Sequence, residues 1–230
     1  MPKPYYQHAG ITIYCGDCRE VLPGLGFDVV VTDPPYGIGW SRGEHRGSRG
    51  GQNKSSRASK EHCGIIGDED TVLRDEMLEK LQVPALVFGS FYAPFPANLK
   101  HVLVWQKSAN CGVVGSTTGF RRDIEPIFLV GEWPIKTAEW GSIFKTRRSQ
   151  SHICTETGHP HTKPVSLIVD LLDFCPTGSV LDPFCGSGSI VVASKLAGRQ
   201  AIGIEIEERY CEIAAKRLSQ EVLDLQPTTA

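Results

Sequence analysis

The chain has 230 residues, of which 40% are hydrophobic and 22% are charged, and it carries a formal net charge of −2. This composition is ordinary for a globular protein, and the charge balance excludes the overall basic character of many nucleic-acid-binding proteins. A chain of this length can bury a full hydrophobic core without disulfide or metal staples, in one large domain or two small ones.

The N-terminal segment MPKPYYQHAG has no apolar core of the kind found in signal peptides, and no apolar run is long enough to cross a membrane. Eight cysteines are scattered along the chain, so we expect reduced thiols in a cytoplasm. Cys15 and Cys18 form a C-x-x-C pair, but no second pair follows at a similar spacing, so we expect no metal site. The cysteines are then small residues of the core or of loops.

The first half of the chain alternates short apolar segments with one helical segment. DVVVT is apolar almost throughout, as expected for a strand of a parallel sheet that is covered on both faces. Leu73, Met77 and Leu81 recur at helical spacing. Pro126 indicates a sheet edge or a bulge. The segment FYAPFPANL is expected to be a helix or turn that is broken by its prolines. The predicted strands are 11–14, 28–32, 84–88, 101–105 and 124–130, and the predicted helix is 71–81.

The second half begins with a polar region, 131–159, that has no clear assignment. A mostly buried helix is predicted at 165–174, and it is followed by a strand, a helix, a strand and a helix at 179–183, 188–198, 201–206 and 208–218. Strands that alternate with helices in this way predict an α/β fold with a doubly wound sheet.

The predicted strand 28–32 runs directly into DPPY, which combines a carboxylate, two prolines and an aromatic ring. Prolines fix φ, so the carbonyl of Pro34 would be held in place beside the carboxylate of Asp33. Between residues 41 and 60 the chain then has six basic side chains and one acid. This segment has almost nothing to bury, so we expect it to be mobile, either as a loop that closes over phosphates or as a solvated linker. The basic residues are Arg42, Arg46, Arg49, Lys54, Arg57 and Lys60.

A second motif, LDPFCGSG, places a glycine-rich turn between a predicted strand and a predicted helix. In such folds ligands bind beyond the carboxyl ends of the strands, and glycines let backbone amides approach a ligand closely. The next strand ends at Glu205, 23 residues after Asp182, where a nucleotide-type cofactor places its ribose hydroxyls. The motif is not G-x-G-x-x-G, so it suits a nucleoside cofactor without phosphates. The alternative is a plain strand–turn–helix corner that binds nothing.

Taken together, DPPY and LDPFCGSG resemble the motifs of the S-adenosylmethionine-dependent DNA amino-methyltransferases. Their order, with DPPY first, is similar to that of the circularly permuted β group, which contains N6-adenine and N4-cytosine enzymes. HPHTKPVSL, at residues 159–167, resembles the HPTQKP element of that group, from which it departs at His161 and Thr162. GDC, at residues 16–18, resembles the family's contact to the adenosine ring.

The resemblance implies a Rossmann-like methyltransferase fold, in which a doubly wound and mostly parallel sheet has one antiparallel edge strand and a permuted motif order. It implies a single domain over residues 1–230, a mobile basic loop at 41–62 and a small target-recognition region at 131–158. It also implies S-adenosyl-L-methionine as the cofactor, without a metal. The residues assigned to the cofactor are Asp17, Cys18, Asp33, Lys163, Asp182, Phe184, Gly186, Ser187, Gly188 and Glu205.

The implied catalytic residues are Asp33, Pro34, Pro35 and Tyr36. Asp33 and the carbonyl of Pro34 would bond both hydrogens of an exocyclic amine, while the ring of Tyr36 would stack on a flipped base. DPPY favours adenine N6 as the acceptor, since cytosine-N4 enzymes more often resemble SPPY, and cytosine N4 is the alternative. Methylation of RNA or of a protein amide is a rival interpretation, although the glutamine enzymes resemble NPPY. A non-catalytic nucleic-acid-binding relic is another, although it would have lost Asp33 or the glycine turn.

Double-stranded DNA is the expected partner. Besides the basic segment, KTRRSQSH offers candidate DNA contacts through Lys145, Arg147 and Arg148. Trp133 and Trp140 are either contacts to DNA or local core residues. The resemblance also allows a homodimer and a cognate restriction endonuclease as partners, excludes a membrane, and places the protein in the cytoplasm of a bacterial or phage-infected cell.

Overall fold

A computed structural model describes residues 2–39, 65–108, 119–134, 140–146 and 162–224. Within these residues, nine strands form one sheet and five helices accompany it. The strands are β1 (Tyr6–His8), β2 (Ile11–Cys15), β3 (Val29–Thr32), β4 (Ala85–Phe88), β5 (Leu99–Gln106), β6 (Ile124–Val130), β7 (Ile143–Lys145), β8 (Val180–Asp182) and β9 (Ala201–Glu205). The helices are α1 (Cys18–Val21), α2 (Val72–Lys80), α3 (Val165–Leu172), α4 (Ser189–Leu196) and α5 (Glu208–Asp224).

The sheet is mostly parallel and has the strand order β1-β2-β9-β8-β3-β4-β6-β5-β7. The strands from β2 to β4 in this order run parallel to one another, and β5 and β7 share their direction. β1 is an antiparallel edge strand. The family resemblance implies one such strand, but no strand is predicted at these residues. A second antiparallel strand, β6, lies inside the sheet between β4 and β5. The sequence predicts a strand at these residues, but it does not predict its antiparallel direction. The predicted doubly wound, mostly parallel sheet is confirmed.

Helices cover both faces of the sheet, because its central strands are apolar on both sides. Val29 and Val31 of β3 are fully buried and belong to a core cluster with residues of α3, α4 and α5. Val30 between them is equally buried, and it belongs to the other cluster, which contains Met77 of α2. Successive side chains of a strand point to opposite faces, so the unbroken apolar run of β3 follows from its place in the middle of the structure.

Pro126 marks neither a sheet edge nor a bulge, contrary to the expectation from sequence. It lies within β6 and pairs in register with Val104 of β5, while the register shift in this strand pair lies between Leu99 and His101. Its carbonyl accepts a hydrogen bond from the backbone N–H of Gly89 (3.1 Å), just past the end of β4. The backbone nitrogen and carbonyl of one strand residue face the same neighbour, so the missing N–H of the proline falls where the ladder to β4 ends.

The other predicted strands and helices are confirmed, with bounds that differ by a few residues. Residues 91–98, predicted as a helix or turn, form turns without a helix or strand. Trp133 is half-buried and packs against the core, where its Nε1 donates to the carbonyl of Val130 (3.0 Å). Trp140 is exposed and meets the edge of Phe174, with ring centres 4.9 Å apart. β1 and β7 come from segments in which the sequence predicts no element.

Candidate functional site

A cavity of about 700 Å³ opens at the carboxyl ends of the parallel strands. Asp33 follows β3, Asp182 ends β8 and Glu205 ends β9, and all three residues line the cavity. β3, β8 and β9 are neighbours in the sheet, so their ends meet at one edge although the residues lie far apart in the chain. The cavity therefore joins the DPPY segment to the glycine-rich turn.

Neighbouring side chains hold both carboxylate oxygens of Asp33. Oδ2 accepts a hydrogen bond from the ammonium group of Lys163 (2.7 Å), and Oδ1 accepts one from the hydroxyl of Tyr36 (2.8 Å). The Lys163 side chain is only 4% exposed, whereas that of Asp33 is 20% exposed. The orientation of Asp33 is thus fixed, while part of its carboxylate still faces the cavity.

A second carboxylate, Glu125, reaches this corner from β6. Its Oε2 lies 3.5 Å from the hydroxyl oxygen of Tyr36 and 3.6 Å from Nζ of Lys163. Its Oε1 pairs with the ammonium of Lys107 (2.5 Å), directly after β5. Two carboxylates are therefore balanced by two ammonium groups, and Lys163 and Tyr36 each contact both carboxylates. Such a paired group of charges is rigid, because displacing one member would leave another unpaired.

Electrostatic interactions keep Lys163 charged and Tyr36 neutral in this corner. Burial alone would lower the pKa of Lys163, but the carboxylates of Asp33 and Glu125 outweigh it and raise that pKa above its usual value, so the ammonium stays charged. Burial and the same two carboxylates raise the pKa of Tyr36 well above its usual value, so its hydroxyl keeps its proton. The Tyr36 ring also lies close to the charge, with its centre 5.2 Å from Nζ of Lys163.

Asp182 has a different environment, although a proline follows it as one follows Asp33. Its side chain is 1% exposed, and burial raises its pKa to about 8. Oδ1 accepts hydrogen bonds from the hydroxyl of Thr32 (2.8 Å) and from the backbone N–H of Phe184 (3.2 Å). Both bonds lower the pKa, but burial outweighs them. At neutral pH this carboxyl group is therefore mostly protonated.

Glu205 ties the glycine-rich turn to the end of β9. Its Oε2 accepts a hydrogen bond from the backbone N–H of Gly186 (2.7 Å) and its Oε1 accepts one from that of Glu207 (2.8 Å). Burial raises the pKa of Glu205, which these backbone bonds partly counter. Gly188 directly precedes α4 and has a φ of +83°, and a Cβ there would lie 2.7 Å from the Cβ of Ala214. Only glycine satisfies both demands, so the close packing of α4 on α5 depends on it.

Cys185, inside the LDPFCGSG motif, has a packing role. A Cβ at Gly203 of β9 would lie 2.6 Å from Sγ of Cys185, so the glycine makes room for the thiol. Burial raises the pKa of Cys185 well above its usual value, which suppresses the thiolate that a nucleophilic cysteine requires. The motif therefore supplies no covalent catalyst.

The cavity brings together most of the residues predicted from the motifs. All four predicted catalytic residues line it, as do all predicted cofactor residues except Gly188. Asp17 caps α1, where it pairs with Arg19, and burial raises the pKa of the neighbouring Cys18 to about 11. Lys163, which the resemblance assigns to the cofactor, has its ammonium group on the carboxylate of Asp33.

Most of the predicted DNA contacts fall outside the described residues. This is true of the six basic residues between 42 and 60, of Arg147 and of Arg148. The described part of the predicted recognition region consists of residues 131–134 and 140–146. Lys145 belongs to it, and its side chain is exposed at the end of β7 and does not line the cavity.

Sequence reasoning missed Glu125, Lys107 and Asp68, which shape the corner around Asp33. Glu125 is a charged residue in an otherwise apolar strand, and this was a usable signal, because a buried charge needs a partner. Asp68 fixes the chain directly after DPPY, since its Oδ1 accepts a hydrogen bond from the N–H of Gly37 (2.9 Å) and its carbonyl accepts one from that of Gly39 (2.7 Å). No pattern in the sequence connects Asp68 or Lys107 to this corner.

The described part of the chain contains neither a membrane-spanning helix nor a cluster of metal-ligating side chains. None of the helices there is both long enough and apolar enough to span a bilayer. The same part of the chain gathers no set of three or more histidine, cysteine or acidic side chains that could hold a metal ion. The histidines and the cysteine between residues 152 and 161 lie outside it.

Comparison with known proteins gives a family and a fold. Residues 27–216 match the N6/N4 family model described as DNA methylase. The chain is 25% identical to the Type II methyltransferase M.ScaI of Streptomyces caespitosus, in an alignment that covers 98% of this chain and 86% of the relative. Its fold is similar to that of the M1.HpyAVI–SAM complex, with a TM-score of 0.60, 21% identity and coverage of 90% and 98% of the two chains. It is also similar to the PvuII DNA methyltransferase (cytosine-N4-specific), with a TM-score of 0.65, 16% identity and coverage of 96% and 93%.

The family match includes both motif regions, from the strand before DPPY to the last helix. The fold comparisons independently give a methyltransferase sheet, and the methyl donor of the family is S-adenosyl-L-methionine. With DPPY preceding LDPFCGSG in the sequence, the chain belongs to the N6/N4 DNA methylase family in its permuted motif order.

Proposed function

We propose that this protein transfers a methyl group from S-adenosyl-L-methionine to the exocyclic amino group of a flipped base in double-stranded DNA, with adenine N6 as the favoured acceptor. The shared cavity carries this proposal, because Asp33 and the glycine-rich turn at Gly186 line the same volume of about 700 Å³. A volume of this size is typical of cofactor and small-molecule sites. A donor held at the turn and a base held at Asp33 would therefore be neighbours.

The side chains at the glycine-rich turn fit the cofactor. When bound, S-adenosylmethionine supplies an electrophilic methyl group on a sulfonium centre. We assign Glu205 to the ribose hydroxyls, because each of its oxygens keeps a lone pair after accepting one backbone N–H. A positively charged ligand group close to Asp182 would favour its ionised form, so the buried carboxyl suits a cationic cofactor. The remaining assigned residues that line this part of the cavity are Asp17, Cys18, Phe184 and Ser187.

We assign Asp33 to orienting the acceptor amine and not to acting as a strong base. The lone pair of a base amino group is conjugated into the ring, so the group must be turned to present that lone pair to the methyl carbon. Lys163 and Tyr36 each occupy one oxygen of Asp33 but leave lone pairs that can accept an amino hydrogen. The carbonyl of Pro34 is assigned to the second hydrogen. Orientation of this kind supplies a large part of enzymatic rate enhancement.

The preference for adenine rests on the DPPY segment, since cytosine-N4 enzymes more often resemble SPPY. Cytosine N4 is the second candidate acceptor, because the family includes both activities and the PvuII DNA methyltransferase, which has a similar fold, is cytosine-N4-specific. Methylation of RNA or of a protein amide has less support, because the matching family model is one of DNA methylases.

We extend the proposal to the parts of the chain outside the cavity. The whole chain is proposed to be one domain, with the basic loop at 41–62 and the residues Lys145, Arg147 and Arg148 contacting DNA phosphates. The region 131–158 is proposed to select the target sequence. A homodimer, a cognate restriction endonuclease and a cytoplasmic location belong to the same proposal.

Sequencing DNA from cells that express the protein, by a method that reports modified bases in context, tests this function. We expect N6-methyladenine within one short sequence, and none in cells that express Asp33→Ala. N4-methylcytosine within one short sequence would select the second candidate. Absence of any new modified base, in cells whose expressed protein binds S-adenosylmethionine, would contradict the proposal.

A further inference from the structure

Large apolar and aromatic side chains are exposed where the cavity opens beside β4 and β6. Tyr92 is 71% exposed and Phe91 is 42% exposed in the turn after β4, and Ile124, which begins β6, is 46% exposed. These three residues and Arg122 line the same cavity as Asp33. We call Phe91, Tyr92, Arg122 and Ile124 the rim surface.

Arg122 gives the rim surface a positive charge. Its guanidinium carbon lies 4.9 Å from the centre of the Tyr92 ring. The neighbouring Arg121 pairs with Asp123 at 3.9 Å, whereas no carboxylate in the described ranges forms an ion pair with Arg122. The rim surface therefore combines an exposed ring with a guanidinium group that is available to an anion.

The turn that carries these rings is held in place by its own contacts. The backbone N–H of Tyr92 donates to Oγ of Ser90 (3.1 Å), and that of Gly89 donates to the carbonyl of Pro126 (3.1 Å). A Cβ at Gly89 would clash with Cε2 of Phe128, so the turn packs directly on β6. A turn whose backbone is already held loses little backbone entropy when a ligand binds to it.

We propose that the rim surface binds the DNA strand beside the flipped base. A neighbouring base, unstacked from the duplex, lies on the ring of Tyr92, and a backbone phosphate lies at Arg122. This inference rests on the proposed function, because a base that reaches Asp33 must enter the cavity that the rim surface borders. Aromatic stacking and cationic contacts to the backbone are the two means by which proteins hold single-stranded nucleotides. Every base has a π face, so this contact adds affinity without selecting a sequence.

Equilibrium binding to a fluorescein-labelled DNA duplex with one mismatched adenine tests the inference, because a mismatch lowers the cost of unstacking the base. Tyr92→Ala should weaken binding about tenfold, as expected for the loss of one base–ring stack. Tyr92→Phe should bind like the parent, because it keeps the ring. Arg122→Gln should reduce the slope of log affinity against log salt by about 0.9. Tyr5→Ala is the matched control, since Tyr5 is 40% exposed and does not line the cavity.

Two results would overturn the inference, namely an unchanged DNA affinity in Tyr92→Ala and an equal loss in Tyr92→Ala and Tyr5→Ala. If the affinity is unchanged and Tyr92→Ala also sediments as a smaller species than the parent, then the rim surface is a contact between protein chains. Failure of this inference can be distinguished from failure of the proposed function. If the parent protein methylates no DNA but its DNA binding still depends on Tyr92, then the proposed function is wrong and the DNA contact at the rim surface is retained.

Discussion

Two Asp-Pro corners lie next to each other at the carboxyl edge of the sheet, and their carboxyl groups are in opposite electrostatic situations. β3 and β8 are paired strands, and the hydroxyl of Thr32 before one corner bonds the carboxyl of Asp182 in the other. Asp33 meets the ammonium group of Lys163 and stays 20% exposed. Asp182 accepts its bonds from uncharged donors and is 1% exposed, so burial raises its pKa to about 8.

The difference shows that the Asp-Pro dipeptide at the end of a strand does not determine what its carboxyl group does. Partners from distant parts of the chain decide it, because Lys163 reaches Asp33 from another segment. Lys163 is in turn close to Glu125, which pairs with Lys107. The carboxyl group of Asp182 accepts one bond from its own turn and one from Thr32 at the end of the neighbouring strand, and both donors are uncharged. Glu205 at the end of β9 ties down the glycine-rich turn that follows. Substitutions at the first corner should therefore affect methyl transfer, and those at the second should affect cofactor binding and stability.

The largest effect is expected from Asp33→Ala. We expect methyl transfer to fall by on the order of 10²–10³-fold or more, because the acceptor amine loses its orienting partner. Cofactor affinity should stay close to that of the parent, and Glu125 still lies near Lys163 to balance its charge. Transfer of tritiated methyl to DNA and calorimetric titration with S-adenosylmethionine measure the two quantities. A parallel loss of both would show that the two corners do not act separately.

Lys163→Met tests to which corner this lysine belongs. Because its ammonium contacts Asp33 and Glu125, we expect kcat to fall on the order of 10²-fold, as for other misplaced catalytic groups, with little change in cofactor Kd. Lys195→Met is the control, since the ammonium of Lys195 bonds the carbonyl of Leu218 away from the cavity. A large loss of cofactor affinity at unchanged kcat would instead support the assignment of Lys163 to the cofactor, which the family resemblance implies.

Glu205→Ala should weaken cofactor binding and leave the geometry of the Asp33 corner intact. Loss of a hydrogen bond to a charged group typically changes the binding free energy by about 1.5–3 kcal/mol, which corresponds to roughly 10- to 150-fold in Kd. Calorimetric titration should show one site that survives a metal chelator. Glu212→Ala removes a carboxylate from an exposed ion pair on α5 and serves as the control. Equal cofactor affinities in Glu205→Ala and the parent would refute the ribose assignment.

The sequence predicts the fold well because the fold depends on local patterns. The apolar run of β3 and the glycine-rich turn before α4 each contain the signal that places them. Pro126 leads to a wrong prediction. The sheet tolerates this proline because of where β4 ends, and β4 is a neighbour of β6 in the sheet but not in the sequence.

The site is predicted only in part, because some of its residues lie in local motifs and others reach it through contacts between distant segments. Asp33, Asp182 and Glu205 stand in recognisable motifs at strand ends. Glu125 and Lys107 reach the site through strand pairing between segments that are distant in sequence, and the pairing of β6 with β4 and β5 is a tertiary outcome. Lys163 is found through its motif, but its partner is visible only in the structure.

Asp182→Asn is the substitution that is most informative about the buried corner. Folding raises the pKa of Asp182 to about 8 from a usual value of 3.8, so the folded state binds its proton more tightly than the unfolded state. The contribution of Asp182 to the free energy of unfolding is therefore fully present below pH 4 and is lost as the pH rises towards 8. Both hydrogen bonds of Asp182 go to Oδ1, and an asparagine Oδ1 can accept both.

Asp182→Asn should therefore match the parent near pH 4 and exceed its stability at pH 9 by up to a few kcal/mol, because a neutral amide cannot ionise. Urea unfolding without cofactor, at several pH values between 4 and 9, measures the difference. Asp170→Asn makes the same exchange at an exposed position of α3 and should follow the parent curve at every pH. If the Asp182→Asn curve runs parallel to that of the parent, then Asp182 ionises as easily in the folded as in the unfolded state, and the contrast between the two corners lies in hydrogen bonding alone.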